Sequence, residues 1–332
     1  MQSNPSAVHC FSTSRGAPCN SFAICAVVLA TLIVPVLAAA DSEITHSFLA
    51  TGGKTYIMQF DKDNPQGKMV WQYPAGTREG WVLPNGNLLL AISHGGTNPG
   101  GAAVEVTREN KIVWEYKGTQ EELNSVQKTP EGTYVVTESG KKPRLLELDA
   151  SGKVLVEFPL ECQINNAHME TRMARKLADG TYLVPHLLNF AVKQYDKTGK
   201  VLKVIDTTVA GDTQHKIESW PFTAIRLANG NTLVGLTHSN RVAEFDPDGK
   251  KIWEVLNEDV GGIIKDACGV QRLPNGNTII NSYAAGANQI KLFEVTPEKK
   301  IVWSYKSAEG TGIHHFCAID TNGVPLEGTP LR

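Results

Sequence analysis

Short runs of alternating hydrophobic and polar residues, separated by glycine-containing turns, follow one another down this chain. One stretch contains four such runs, at residues 223–227, 231–237, 242–246 and 251–255. A period of two is typical of half-buried strands. Asn229-Gly230, between the first two runs, is a tight hairpin signal because the turn requires positive φ. The pattern therefore predicts four antiparallel strands in this stretch.

The same arrangement recurs along the chain at intervals of 46 to 50 residues. Each copy has a turn glycine preceded by Asn, Glu or Asp: Gly86, Gly132, Gly180, Gly230, Gly276 and Gly323. A second phrase, Gly-Lys-x-x-Trp in its fullest form, begins at Gly67, Asn110, Gly152, Gly199, Gly249 and Lys299. Strand-rich repeats of about 40 to 50 residues are typical of propeller blades.

The two ends of the repeat complement each other. The Gly-Lys phrase at Gly67 has no hairpin before it, and the hairpin Asn322-Gly323 has no Gly-Lys phrase after it. We therefore expect residues 312–320 to supply the inner strand of a blade whose other strands come from residues 45–73. Such closure removes exposed sheet edges. The sequence predicts an all-β fold: a six-bladed β-propeller of four-stranded blades, closed by N- and C-terminal strands that share one blade. Seven blades is the alternative.

The N-terminal 40 residues lie outside the repeat. They contain one charged residue, Arg15, then an apolar run from Phe22 to Leu37 and three alanines ahead of Asp41. This order is typical of a secretory signal peptide, although an uncleaved anchor is the alternative. We expect a signal peptide at 1–40, a single propeller domain at 41–332 and no membrane span after cleavage. The protein would be exported, to the periplasm or the medium.

Charge and cysteine content exclude several classes of protein. The chain has 32 Lys and Arg against 34 Asp and Glu and no basic cluster, so no nucleic-acid partner is expected. Three of the six cysteines precede Asp41, and Cys162, Cys268 and Cys317 remain. An odd number at irregular spacing predicts neither a disulfide framework nor a zinc site. A bridge between Cys268 and Cys317, on neighbouring inner strands, is the alternative to buried free thiols.

The phrases x-Leu-Pro-Asn-Gly-Asn-Thr-Leu and Glu-x-Asp-x-x-Gly-Lys-Ile-Val-Trp-x-Tyr resemble the repeats of PQQ-like and arylsulfotransferase-type propellers over nearly all of residues 45–325. The resemblance implies the architecture. Quinoprotein dehydrogenases of this kind usually have eight blades and a much longer chain, so bound PQQ is not expected. Arylsulfotransferases share six blades but have an extra domain, so none of their catalytic residues is transferred to this chain.

One face of the predicted propeller carries the residues that vary between repeats. The inner strand starts and the second strand ends on the same side, opposite the Asn-Gly hairpin. Eight residues before the turn glycines stand Arg78, Asn124, Arg172, Phe222, Cys268 and His315. Repeats that keep their scaffold but vary along one rim indicate a ligand site. The predicted ligand-binding residues are Arg78, His94, Asn124, His168, Arg172, His186, Trp220, His238, Asp266, Asn281 and Tyr283.

The chemistry of this face leaves two functions open. Arg78 and Arg172 suit a carboxylate or sulfate, unless they pair with Glu122 or Glu170. Trp220 suits either the capping of a blade or stacking on a sugar or aromatic ring. We expect binding of a small polar or anionic molecule, a carbohydrate or a protein partner.

The alternative is an enzyme on the same face. His314 and His315 would be its catalytic nucleophile or base. The reaction would be arylsulfotransferase-like group transfer, or lysis or hydrolysis of a polysaccharide. A divalent metal would suit the polysaccharide chemistry as a cofactor.

Overall fold

Apart from one two-stranded hairpin, the strands of the described residues form six four-stranded antiparallel blades, arranged as a propeller, and the first two blades are joined into one 8-stranded sheet. The computed structural model describes residues 44–92, 94–162 and 166–327, and the described residues belong to one unit, Ser42–Arg332. The predicted signal peptide, 1–40, lies outside them. No helix within these ranges has the length and hydrophobicity needed to span a bilayer.

Blade 1 combines both ends of the chain. Its strands are β1 (Phe48–Gly52), β2 (Thr55–Asp61), β3 (Asn64–Tyr73) and the late strand β24 (Ile313–Ala318). β24 pairs with β1, with His315 opposite Thr51. A bridge between Gly52 and Thr77 joins this sheet to the next one. The predicted six blades and the predicted shared blade are confirmed.

Blades 2 to 6 each use four consecutive strands, given from the inner to the outer. Blade 2 has β4 (Thr77–Val82), β5 (Leu88–Ile92), β6 (Ala102–Val106) and β7 (Ile112–Lys117). Blade 3 has β8 (Glu122–Lys128), β9 (Tyr134–Ser139), β10 (Arg144–Leu148) and β11 (Val154–Pro159). Blade 4 has β12 (Arg175–Lys176), β13 (Tyr182–His186), β14 (Ala191–Tyr195) and β15 (Val201–Asp206).

The last two blades have the same order. Blade 5 has β16 (Ser219–Arg226), β17 (Thr232–His238), β18 (Arg241–Phe245) and β19 (Lys251–Leu256). Blade 6 has β20 (Val270–Arg272), β21 (Thr278–Asn281), β22 (Ile290–Val295) and β23 (Ile301–Lys306). Two 3-10 helices, Ala167–Met169 and Glu258–Val260, and a hairpin of β25 (Asp320–Thr321) and β26 (Val324–Pro325) complete the described elements. The hairpin residue Asn322 accepts a hydrogen bond from the Thr45 backbone N at 2.8 Å, which fixes the N-terminal segment.

Every outer strand carries a β-bulge at the same place in the Gly-Lys-x-x-Trp phrase. In β19, Lys251 pairs with Phe245 and Trp253 pairs with Glu244, which leaves Ile252 as an extra residue. The extra residues of the six outer strands are Val70, Val113, Leu155, Leu202, Ile252 and Val302. A bulge interrupts the ladder of an edge strand and so discourages pairing with another chain.

The aromatic residue that follows the bulge packs between blades. Trp114 of blade 2 stacks on Tyr134 of blade 3 at 3.7 Å between ring centroids. Trp303 of blade 6 makes an edge contact with Phe48 of blade 1 at 6.4 Å. Both tryptophans therefore pack between neighbouring blades. Cys162, Cys268 and Cys317 are free thiols.

The third strand of blades 2 to 6 binds the next blade through a Glu or Gln. Glu147 accepts hydrogen bonds from Thr133 in its own blade at 2.6 Å, and from Lys176 and Tyr182 of blade 4 at 2.8 and 2.5 Å. The equivalent pairs are Glu105 with Lys128, Gln194 with Arg226, Glu244 with Arg272, and Glu294 with His46. The last pair joins blade 6 to the segment before β1, so the repeated Glu connects blades as well as strands.

Candidate functional site

Five polar side chains meet on the face predicted to carry the ligand site. Because all inner strands start on this face, β4, β8 and β24 bring their first residues together there. We call the group the rim cluster: Arg78, Glu122, His168, Arg172 and His314. His168 lies in the 3-10 helix that precedes β12, and Arg172 lies in the connection to β12.

The carboxylate of Glu122 is the centre of the rim cluster. Its Oε1 lies 3.3 Å from Arg78 Nη2, 3.2 Å from His168 Nδ1 and 2.9 Å from His94 Nδ1. Burial raises the pKa of Glu122, but the hydrogen bond from His168 and the charges of Arg78 and Arg172 outweigh it and lower the pKa to about 2. The carboxylate is therefore ionised at neutral pH, and its Oε2 has no hydrogen-bond partner among the described residues.

Arg172 is the buried positive charge of the rim cluster. Its side chain is fully buried, and it donates to the backbone oxygens of Thr171 (2.8 Å) and His168. The guanidinium lies 5.2 Å from the centre of the Phe222 ring. Burial and the charge of Arg78 lower the pKa of Arg172 to about 10, so it remains protonated at neutral pH. Because its Nη1 and Nη2 both donate to backbone oxygens, the side chain is held in place, although its buried Nε has no partner among the described residues.

Arg78 is the more accessible arginine, and its contacts are incomplete. Its Nη2 lies 3.0 Å from His168 Nδ1, the nitrogen that also lies 3.2 Å from Glu122 Oε1. One ring nitrogen cannot accept from Arg78 and donate to Glu122 at the same time. These two contacts of His168 are therefore alternatives, whereas Arg78 Nη2 can donate to Glu122 in either case. The Nε and Nη1 of Arg78 have no hydrogen-bond partner among the described residues, and a bound ligand could supply one.

His314 is held as a neutral imidazole. Its Nδ1 lies 2.9 Å from the backbone oxygen of Arg78. A carbonyl oxygen only accepts, so Nδ1 carries the proton and Nε2 keeps its lone pair. Burial, followed by the charges of Arg78 and Arg172, lowers the pKa of His314 to about 3. A general base works best when its pKa is near the working pH, so His314 in the free protein is a hydrogen-bond acceptor rather than an effective base.

An uncharged cavity adjoins the cluster. Its volume is about 330 Å³, and its lining includes Gly53, Tyr283, Ala284, Gly310 and Gly312. The Tyr283 ring, which is 40% exposed, meets the His314 ring edge to face at 5.2 Å. His314 therefore contacts the aromatic wall of this cavity on one side and the backbone of Arg78 on the other.

Three of the predicted site residues form a separate group on blades 5 and 6. The His238 ring stacks on Trp220 at 4.1 Å, and its Nδ1 lies 2.7 Å from a carboxylate oxygen of Glu218. The backbone N of His238 donates to Asp266 at 2.9 Å. Residues His238, Asn240 and Asp266 all have positive φ, between 52° and 58°. Among the described residues, no hydrogen bond, ion pair or ring contact joins this group to the rim cluster.

The remaining predicted residues are buried within the scaffold. Asn124 donates to Ser139 Oγ at 2.8 Å, and His186 Nε2 lies 2.8 Å from the Tyr195 hydroxyl. Asn281 donates to the backbone oxygen of Ile313 at 2.6 Å and so positions the start of β24. His315 is fully buried, with its ring against the backbone of Gly269. His315 is therefore not part of the rim cluster, although it is the neighbour of His314 in sequence.

The importance of Glu122 did not emerge from the sequence, where it was considered only as a partner for Arg78. The signal was available, because Glu122 stands at the start of an inner strand, as Arg78 does. Two histidines also approach its carboxylate, which suggests a metal site. The described residues contain no group of three or more His, Cys, Asp or Glu side chains with metal-binding geometry, and the Arg78 guanidinium lies against His168 in this space.

Comparison with known proteins shows the fold. No family model matches this chain, and no curated protein matches it. A protein of unknown function from Bacteroides caccae is similar in structure, with 21% identity and a TM-score of 0.69 over 82% of this chain and 99% of that one.

Two lyase structures are also similar. One is a catalytically inactive His-to-Ala variant of virginiamycin B lyase from Staphylococcus aureus with quinupristin, with 15% identity and a TM-score of 0.54 over 83% of this chain and 93% of that one. The other is a streptogramin B lyase, with 14% identity and a TM-score of 0.53 over 80% and 84%. At these identities the likeness establishes the β-propeller fold alone.

Proposed function

We propose that this propeller binds a small anionic molecule at the rim cluster. The observation that carries the proposal is the charge of the cluster: Arg78 and Arg172 are opposed within it by one carboxylate, Glu122. The other carboxyl near Arg172, Glu170, has a pKa raised by burial, which favours its neutral form. Because His314 is neutral and Arg172 is buried, the excess positive charge lies in a region of reduced dielectric, where it attracts an anion more strongly than at the surface. Arg78, whose hydrogen bonding is incomplete, is the group that would contact the ligand.

Arg78→Gln tests this proposal. A charge-assisted hydrogen bond contributes about 1.5–3 kcal/mol, so the variant should bind acetate or sulfate roughly 10- to 100-fold more weakly in isothermal titration calorimetry. Arg108→Gln is the matched control, since Arg108 is exposed and donates to the Gly86 backbone oxygen at the opposite face. Equal anion affinity in the wild type and Arg78→Gln would refute the assignment.

Enzymatic action on the same face is the second candidate. It is favoured by the free lone pair on His314 Nε2, and the similar virginiamycin B lyase is described as inactive when a histidine becomes alanine. The pKa of about 3 for His314 favours binding instead. The samples used for calorimetry should therefore release no 4-nitrophenol from 4-nitrophenyl sulfate. Release that disappears in His314→Asn would establish the enzymatic alternative.

We also propose that this binding takes place outside the cytoplasm. Its basis is the sequence of residues 1–40, which has a single charged residue, an apolar run and a final group of alanines, the order found in secretory signal peptides. Expression with the full N-terminus should give periplasmic or secreted protein that begins near Asp41, as read by N-terminal sequencing. Cytoplasmic protein that retains Met1 would contradict export.

A further inference from the structure

The cavity beside Tyr283 has the composition of a pocket for a flat, uncharged group. Its lining consists of Tyr283, Ala284, Ala285, Thr311 and three glycines, and none of these residues is charged. A volume of about 330 Å³ falls at the lower end of the range of roughly 300–1,000 Å³ for ligand pockets. The Tyr283 ring is the one aromatic surface in this lining, so a ring-shaped group has a partner to stack against.

One wall of the cavity is fixed by close backbone packing. A Cβ atom placed on Gly312 would lie 1.4 Å from the Tyr283 carbonyl oxygen. The segment before β24 therefore passes directly against the segment after β21, with no space for a side chain. This contact sets the position of Tyr283 relative to His314, the second residue of β24.

The opposite part of the lining is open. A Cβ atom on Gly310 would meet no heavy atom within 4 Å, and the φ of Gly310 is not positive. The glycine is thus not required by the backbone, and the space in front of it is free. Gly310 lines the cavity, so a larger side chain at this position would take up space at its edge without displacing the chain.

The cavity and the rim cluster lie next to each other, with His314 between them. The His314 ring contacts Tyr283 of the cavity, and its Nδ1 donates to the backbone of Arg78. A ligand that filled the cavity could therefore direct a charged group toward Arg78. The guanidinium holds the carboxylate of Glu122 through Nη2 at 3.3 Å, and its Nε and Nη1 have no acceptor among the described residues.

We propose that the cavity beside Tyr283 receives the planar ring of an aromatic carboxylate whose carboxylate group is bound by Arg78. The inference rests on the proposed anion site and names the class of its ligand. The ring stacks on Tyr283, the Gly310 side of the cavity admits it, and the carboxylate accepts from the nitrogens of Arg78 that do not face Glu122 and His168. A carboxylate without a ring lacks the first of these interactions.

Calorimetry with benzoate, cyclohexanecarboxylate and acetate tests the inference. Wild-type protein should bind benzoate about 10-fold or more tightly than acetate, because the ring leaves water. Cyclohexanecarboxylate, which is not planar, should bind about threefold or more weakly than benzoate. Gly310→Leu should reduce benzoate affinity to that of acetate and leave acetate binding unchanged.

Gly286→Leu is the control, since Gly286 lies outside this cavity and its Cβ would meet nothing closer than 3.8 Å. Tyr283→Leu is the second test variant and should weaken benzoate binding alone, because Tyr283 is exposed and contributes little to the core. Benzoate binding no tighter than that of acetate overturns the inference and leaves the anion site intact. An equal loss of both ligands in Gly310→Leu also overturns it. If wild-type protein binds no small anion, the proposed function itself fails.

Discussion

Replacing Glu147 by alanine is expected to lower the free energy of unfolding by about 3 kcal/mol. The carboxylate accepts from Thr133, Lys176 and Tyr182, and its loss leaves the Tyr182 hydroxyl buried without its acceptor. For a chain of this size the melting temperature should fall by roughly 6 to 12 °C. Urea unfolding and a thermal melt measure the two effects.

Glu131→Ala is the control for this prediction. Its carboxylate lies 4.0 Å from the same Lys176, but the side chain is 66% exposed. An exposed pair of this kind contributes at most about 1 kcal/mol, so the variant should unfold close to the wild type. A similar loss of unfolding free energy in both variants would mean that the buried contact of Glu147 with blade 4 contributes no more than the exposed ion pair of Glu131.

The effect of Glu147 should also depend on pH. Burial raises the pKa of its carboxyl, but the hydrogen bonds from Lys176, Thr133 and Tyr182 outweigh burial and hold it below its usual range. A lowered pKa gives stability that is fully present above the unfolded-state value, about 4.3, and is lost as pH falls through the folded-state value. The stability difference between wild type and Glu147→Ala should therefore shrink as pH falls from about 5. A constant difference would contradict this origin.

Gly312→Ala should destabilise the ring closure by about 3 kcal/mol. The added Cβ would lie 1.4 Å from the Tyr283 carbonyl oxygen, a backbone atom that cannot rotate away as a side chain can. The start of β24 or the segment after β21 must therefore move, and either shift displaces His314 or Tyr283. Chemical denaturation measures the loss, and the same variant should lose ligand affinity.

Gly310→Ala provides the matched comparison two residues away. Its Cβ would have open space within 4 Å and no unfavourable φ, so stability should equal that of the wild type or rise slightly through a less flexible unfolded chain. If Gly312→Ala is as stable as Gly310→Ala, the close approach between β24 and Tyr283 does not exist in solution.

The architecture could be predicted because it depends on local patterns that repeat. Asn229-Gly230 predicts a hairpin, and Gly230 has a φ of 86° in the structure. The unmatched phrases at Gly67 and Asn322-Gly323 predict the shared blade, which β24 and β1 form. These signals need no knowledge of distant side chains, since each one constrains only the backbone of its own segment.

The connections between blades could not be predicted in the same way. Glu147 and Lys176 are separated by 29 residues, and nothing in the sequence indicates that one reaches the other. The bulge at Ile252 was also missed, because a single extra residue in an edge strand leaves the Gly-Lys-x-x-Trp phrase unchanged. Both features depend on register between strands, which a pattern within one strand does not specify.

For the site, the sequence predicted the face but not the contacts. Arg78, His168 and Arg172 do meet on it, whereas His186 turns toward Tyr195 and His315 is buried beside Gly269. Neighbouring residues of a strand point to opposite sides, so membership of a rim does not decide which side chains converge. Three glycines line the cavity beside Tyr283. Glycine has no side-chain functional group, so these positions did not indicate a binding site in the sequence.

The position of β24 has a consequence for biosynthesis. Translation must pass Ile313 before blade 1 can receive its inner strand, so His314 is among the last residues of the ring to emerge from the ribosome. A chain that stops earlier lacks both the histidine and the strand that closes the circle. Ligand capture by such a fragment is therefore not expected, and the proposed site would form only once synthesis has reached the final strand of the propeller.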